Sequence, residues 1–285
     1  YESALKRIIP RIFSSAEGRT ETEERQSYYM ESEKFLRDNL ASAFLVQDLD
    51  NFITNTLGNL RNMLDTYSHS FIESMMTYDP DLTFSLLSQT SEEMDNPVFL
   101  GAKAFFLKKL IRYGFPVPSG FVLTTEVFRH KDIIYSHPHI NHEFSRMIMN
   151  NIKHIEKLAG KNYGDPENPL FFSVRSGSSI SMPGAMKTFL NVGMNDEIAE
   201  RLSLRKGYGW TAWDCYRRFL QSWGMAYGIE RDTFDRIILD HKDRWGVELK
   251  IQFTEEQMKK IAYDYKGLLS DKGIEIENDP FLQLK

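Results

Sequence analysis

Between Leu49 and Met75 the apolar residues fall at Phe52, Ile53, Leu57, Leu60, Met63, Leu64, Tyr67, Phe71 and Ile72, in steps of three and four. That spacing draws one stripe along an α-helix and excludes a strand, whose faces alternate at every second residue. Shorter stretches of the same kind lie at 24–44 and 81–87, so residues 1–95 are expected to form a mainly helical extension. The stripe either packs against neighbouring helices or meets a partner, and a second copy of the chain would serve. The polar run SQTSEEMDNP at 88–97 ends on Asn-Pro and marks a boundary.

Beyond that run the pattern changes. VFLG at 98–101 reads as a short strand and a glycine turn. A helix follows with Phe106, Leu107, Leu110 and Ile111 on one face and Gly114 at its C-terminal stop. FPVPSGFVLTT at 115–125 is extended, and a second helix starts at Thr124 or Thr125. Residues 140–159 read as helical and LFFSV at 170–174 as a strand. Helical patterns then return in TAWDCYRRFLQSWGMAYG and TEEQMKKIAYDYKGLLSDKG. Strands alternating with helices between helical ends predict a mixed α/β, or α+β, architecture for residues 96–285.

Composition narrows the function classes. With 41% hydrophobic residues the 285-residue chain can bury a core, and a net charge of -5 argues against a general grip on nucleic acid or an anionic membrane. Cys215 is the one cysteine, which fits a reducing, cytoplasmic setting, and no apolar run is long enough to span a bilayer. The chain starts at Tyr1 and stops at Lys285 without a clear ending, and is expected to be a piece of something longer.

Two segments could hold an anion. Lys103 follows Gly101 near a helix start, where free backbone N–H groups and the helix dipole favour negative charge. The spacing is neither a Walker loop nor a dinucleotide fingerprint. Arg175 directly follows the apolar strand, and Ser176, Gly177, Ser178 and Ser179 add small donors beside its planar fork. Met182-Pro183-Gly184 bends the chain before Lys187 and Thr188. Taken alone, the first segment reads first as a solvated surface lysine and the second as an ordinary surface turn; together they predict a phosphate-rich ligand.

Other clusters read as structural. SHPHINH (His137, His139, His142) has no cysteine or carboxylate set and is expected to be a polar loop, with no metal site. Asp214 and Arg218 stand at i, i+4 and predict an ion pair on a helix, with Cys215 a buried small hydrophobe beside them.

Taken in order, LGAKAFFLKKLIRYGFPVPSGFVLTT, FSVRSGSSISMPGAMKTFLNVGMND and WTAWDCYRRFLQSWG resemble the ATP-binding domain of the pyruvate, phosphate dikinase family. The resemblance implies that residues 96–285 are the N-terminal portion of an ATP-grasp nucleotide-binding domain. Such a domain passes a phosphoryl group from ATP to a histidine on a later domain, and from there to pyruvate to give phosphoenolpyruvate. It implies that Lys103 and Arg175 hold the ATP phosphates, with a catalytic role for Arg175 and with Ser176 and Gly177 beside it. Gly184, Met186 and Thr188 fall on the loop that closes over the nucleotide. Mg2+ ligands, the phosphohistidine domain and the pyruvate-binding domain are expected outside this segment, so the chain alone should not complete a turnover. Three features depart from the family pattern: Lys187 stands where aspartate is usual, Phe105 and Phe106 replace small or polar residues, and the first ninety-odd residues have no counterpart. They motivate the alternative of a non-catalytic binding or regulatory module that recruits a partner, or a second copy as a homo-oligomer, through its helical extension.

Overall fold

The computed structural model describes residues 77–92, 94–177 and 187–285, together with positions 33, 46, 47, 49–58, 60–62, 64, 65, 68 and 69. Two compact units divide the chain, and the larger comprises Tyr78–Ser179 and Lys187–Lys285. Of the smaller unit, the described residues between 46 and 65 are helical, as the apolar stripe predicts. Val46, Leu49, Phe52, Ile53, Leu57, Leu60 and Leu64 on it are all exposed, and Met63, Tyr67, Phe71, Ile72 and Met75 lie outside the described residues.

The larger unit opens with a 3-10 turn at Pro80–Leu82 and strand β1 (Phe84–Leu86), where the sequence pattern predicts helix. The pattern fails there because β1 is made by a distant partner: it pairs antiparallel with β2 (Phe121–Leu123), Phe84 opposite Leu123. Residues 78–95, read from sequence as part of the helical extension, thus pack with the larger unit.

Helix α1 (Pro97–Arg112) begins ahead of the strand and turn anticipated at 98–101, and that strand does not form. The Asn96 side chain accepts from the N–H groups of Val98 and Phe99 at 3.0 and 3.1 Å, and Pro97 occupies the first turn, where its missing N–H costs nothing. Within α1, Gly101 takes φ 73° and ψ 158° and breaks the helix in two. The expected face of α1 is only partly covered, since Phe106 and Leu110 are exposed. Gly114, at φ 77°, follows the last turn as anticipated.

Short helices α2 (Thr125–Arg129, capped by Thr124) and α3 (Lys131–Ser136) lead into α4 (Pro138–Ala159). The helix α4 starts inside SHPHINH, so His139 and His142 are helical rather than in a loop. Its Phe144, Ile148 and Ile152 are buried with Val127 and Ile134 in one small core. Strands β3 (Asn162–Tyr163) and β4 (Pro169–Leu170) pair in parallel, and β5 (Phe172–Arg175) pairs antiparallel with β6 (Thr188–Val192).

After β6 come α5 (Asp196–Ser203), α6 (Gly209–Ala226), α7 (Arg231–Trp245), α8 (Glu255–Asp271) and α9 (Pro280–Leu284). Trp213, Tyr216, Phe219, Leu220 and Trp223 of α6 meet Met258, Ile261, Ala262, Tyr265 and Leu269 of α8 in the main core. These residues recur every three or four positions, which is why the sequence pattern located both helices. The described residues of the larger unit form a mainly helical α+β architecture with three two-stranded sheets. No described helix is long and apolar enough to cross a membrane.

Candidate functional site

Gly101 positions the first cation. With the backbone broken there, Lys103 stands in the first turn of the second half of α1, and its Nζ donates to the Ser176 carbonyl at 3.0 Å across 73 residues of sequence. Gly177 lies beside α1 as well: a Cβ there would stand 3.8 Å from the Leu100 carbonyl, an ordinary contact distance.

The second cation is set by strand pairing. Arg175 ends β5 directly opposite Thr188, the first residue of β6, and both Arg175 and Ser176 are exposed. The Ser176 hydroxyl donates to the Lys187 carbonyl at 3.3 Å, which ties Lys187 to the same rim. Lys103, Arg175, Ser176, Gly177 and Thr188 are therefore brought together as neighbours, and Lys187 joins them. Gly184 and Met186 lie outside the described residues, as do Ser178 and Ser179. Among the described residues, no ion pair to a carboxylate is made by Lys103, Arg175 or Lys187. The Lys103 ammonium is thus seated at the Ser176 backbone, with Arg175 next to Ser176 in sequence and Lys187 next to it across the hairpin; cations among small and hydroxylated residues are of a kind that can neutralise phosphate oxygens.

The rim is held from behind. In β6, Leu190 N–H donates to Ser222 Oγ at 3.1 Å and Asn191 Nδ2 donates to the Cys215 carbonyl at 2.9 Å, so two side-chain bonds fasten the strand to α6. On α1, the Lys108 ammonium is buried at 3% exposure; it donates to Ser85 Oγ at 2.7 Å and the Gln89 carbonyl at 2.8 Å, and pairs with Asp95. Lys108 was not anticipated. Its signal was a lysine on the inner side of a helix, which sequence alone cannot distinguish from a solvated one.

The expected Asp214–Arg218 pair forms at 2.9 Å, but as part of a larger node. Asp214 is buried and also accepts from Arg217 Nε at 2.9 Å and from Lys250 Nζ at 3.0 Å. Burial works to raise its pKa, yet Arg217 and Lys250 outweigh that effect and hold the carboxyl below its ordinary value. Cys215 is half-buried, and burial pushes its thiol pKa up, so it is a poor nucleophile. Among the described residues, no group of three or more His, Cys, Asp or Glu side chains could hold a metal ion. The described residues around the cation cluster thus bring no acidic set that would by itself hold a magnesium ion.

No protein-family model matches the chain. Curated relatives do. A pyruvate, phosphate dikinase of Rickettsia felis is 36% identical over 191 residues, 65% of this chain and 21% of the relative. The Giardia intestinalis enzyme of the same name is 36% identical over 170 residues, 59% of this chain and 19% of the relative. That of Clostridium symbiosum is 35% identical over 188 residues, 65% and 21%. The chain spans about a fifth of the length of the relatives it matches. Over that shared length, the chain is similar to pyruvate, phosphate dikinases.

Proposed function

We propose that the chain is the ATP-binding portion of a pyruvate, phosphate dikinase-like phosphotransferase. Its larger unit is read as the N-terminal portion of an ATP-grasp domain, with Lys103, Arg175, Ser176, Gly177 and Thr188 around the ATP phosphates and Gly184 and Met186 on the loop that covers them. The observation that carries the reading is the Lys103–Ser176 bond, which joins two cation-bearing segments far apart in sequence.

The chemistry asked of these residues is modest. Phosphoryl transfer passes through a state with charge spread over the transferred group, and catalysis consists mainly of positioning and charge neutralisation. Arg175 offers two parallel N–H donors to one phosphate, and Lys103 a movable point charge to its neighbour. Bound Mg2+ would supply further neutralisation, from ligands expected on another part of the parent protein. The phosphohistidine and pyruvate-binding domains belong to that part too, and a cytoplasmic setting goes with the reading.

The test is nucleotide affinity in a longer chain that carries the whole ATP-binding domain. Lys103→Ala and Arg175→Ala are each expected to weaken ATP binding by about tenfold to a hundredfold, the scale of one lost charge-assisted hydrogen bond. Histidine phosphorylation should fall further in Arg175→Ala. Unchanged affinity and phosphorylation in both variants would sink the assignment.

A second reading, a non-catalytic module that recruits a partner, is favoured by the exposed stripe from Val46 to Leu64. If that stripe binds a second copy, Ile53→Asp with Leu60→Asp should shift the chain to a later size-exclusion volume. The same volume for both proteins would count against self-association.

A further inference from the structure

Away from the candidate site, α1 leaves a face open. Phe106 and Leu110, four residues apart on it, are exposed, and so is Tyr113 at its C-terminal cap three residues on. The Phe105 and Phe106 rings meet edge to face with centroids 5.9 Å apart. The exposed Lys109 Nζ stands 4.6 Å from the centre of the first ring and 5.8 Å from that of the second. Those two rings hold the Lys109 charge at the border of the open face. From Pro97 to Thr125 the sequence contains no aspartate or glutamate, so the segment brings no carboxylate of its own to that border.

The stripe of the smaller unit has the opposite character. Val46, Leu49, Ile53, Leu57, Leu60 and Leu64 are exposed along it, and the exposed Asp50 lies one turn from both Val46 and Ile53. Residues 46–65 carry three aspartates against one arginine. We propose that the stripe of a second copy docks on the α1 face, its apolar residues against Phe106, Leu110 and Tyr113 and its Asp50 against Lys109. Charge selects this pairing over the alternatives: stripe on stripe sets aspartates together, and α1 on α1 sets lysines together. Each copy carries both halves, so two reciprocal contacts close a dimer. The proposal rests on the reading in which the stripe meets a second copy, and it adds the surface that receives it.

The experiment follows the oligomeric state of the 285-residue chain by sedimentation over a concentration series. The variants are Leu110→Asp on the α1 face, Ile53→Asp with Leu60→Asp on the stripe, Lys109→Glu, and Lys109→Glu with Asp50→Lys. The parent chain should dimerise, and the first two variants should each sediment as monomers. Mixed in equal amounts, those two should form a dimer again, because one intact α1 face and one intact stripe remain between them. Lys109 is exposed, so Lys109→Glu leaves the buried core intact. It should weaken the dimer by about tenfold, the scale of one charge pair turned repulsive, and adding Asp50→Lys should restore it. If Leu110→Asp remains a dimer while the stripe variant does not, the stripe meets another surface: docking on α1 is overturned and the second-copy reading stands. A mixture that stays monomeric, or a charge exchange that restores nothing, overturns the docking in the same way. A parent chain that is monomeric at every concentration defeats both readings together.

Discussion

At Gly101 the backbone occupies φ 73° and ψ 158°, a region that is essentially closed to residues with a Cβ. Gly101→Ala must either bear that strain or let α1 straighten, which would swing Lys103 away from Ser176. The expected outcome is a loss of about 1–3 kcal/mol of stability together with weaker phosphate binding, read by denaturant titration and calorimetry on the same protein. Asp214 gives a pH signature instead. Its folded pKa lies below the ordinary 3.8, so its stabilising effect is complete above that value and is lost as pH falls through the lower folded pKa. Asp95, held low mainly by its bonds from Lys108 and Ser91 against the effect of burial, acts in the same window and sense. Asp214→Asn leaves buried Arg217 without its counter-charge and is expected to cost about 3 kcal/mol at neutral pH. Below about pH 4 the gap to the parent should narrow, because the carboxyl of the unfolded parent then takes up a proton while the folded one, held lower, stays charged. A constant gap from pH 7 to pH 3 in urea titrations would contradict this account. Both cations of the candidate site were legible from sequence as charges beside glycine. Their meeting at Ser176 was not, because it spans 73 residues.

Among the elements, α6 carries the largest share of the core, and it tolerates a glycine in its interior only for lack of space. A Cβ on Gly224 would lie 2.7 Å from Phe234 Cζ and 3.1 Å from Leu269 Cδ1, both on buried side chains. Alanine gains about 1 kcal/mol in helix propensity over glycine, but overpacking a filled core costs about 1–3 kcal/mol. Gly224→Ala is therefore expected to destabilise on balance, seen as a lower denaturation midpoint with an unchanged slope. A raised midpoint would mean that Phe234 and Leu269 yield easily. Helices such as α4, α6 and α8 were legible because an apolar face with a period near 3.6 is written in contiguous residues. The start of α1 carried a signal as well: Asn96-Pro97 is a cap followed by a first-turn proline, and reading it only as a boundary hid the helix it opens. Strand β1 was illegible for a different reason. Three residues form it only because Phe121–Leu123 supply the other side of the ladder.

On the scale of the whole molecule, the boundary drawn from composition at residue 95 and the boundary of the compact unit at residue 77 make different physical claims. Cutting at 95 removes Ser85, Gln89 and Asp95, the three partners of the Lys108 ammonium, and with them the strand that pairs with β2. A buried ammonium without a counter-charge costs several kcal/mol, and breaking a buried pair from one side typically costs about 3–5 kcal/mol. A chain of residues 78–285 is therefore expected to unfold in one cooperative transition, and a chain of residues 96–285 to be less stable by at least that amount. Lost strand pairing would contribute too, so the shorter chain needs its own control. Lys108→Met in residues 96–285 removes the stranded charge and should restore about half of the lost stability, whereas the same substitution in residues 78–285 should be destabilising because it leaves Asp95 in place. Opposite signs for one substitution in two chain lengths would identify Lys108 as the tie between the first β-hairpin and α1. Equal signs would assign the boundary at residue 77 to strand pairing alone.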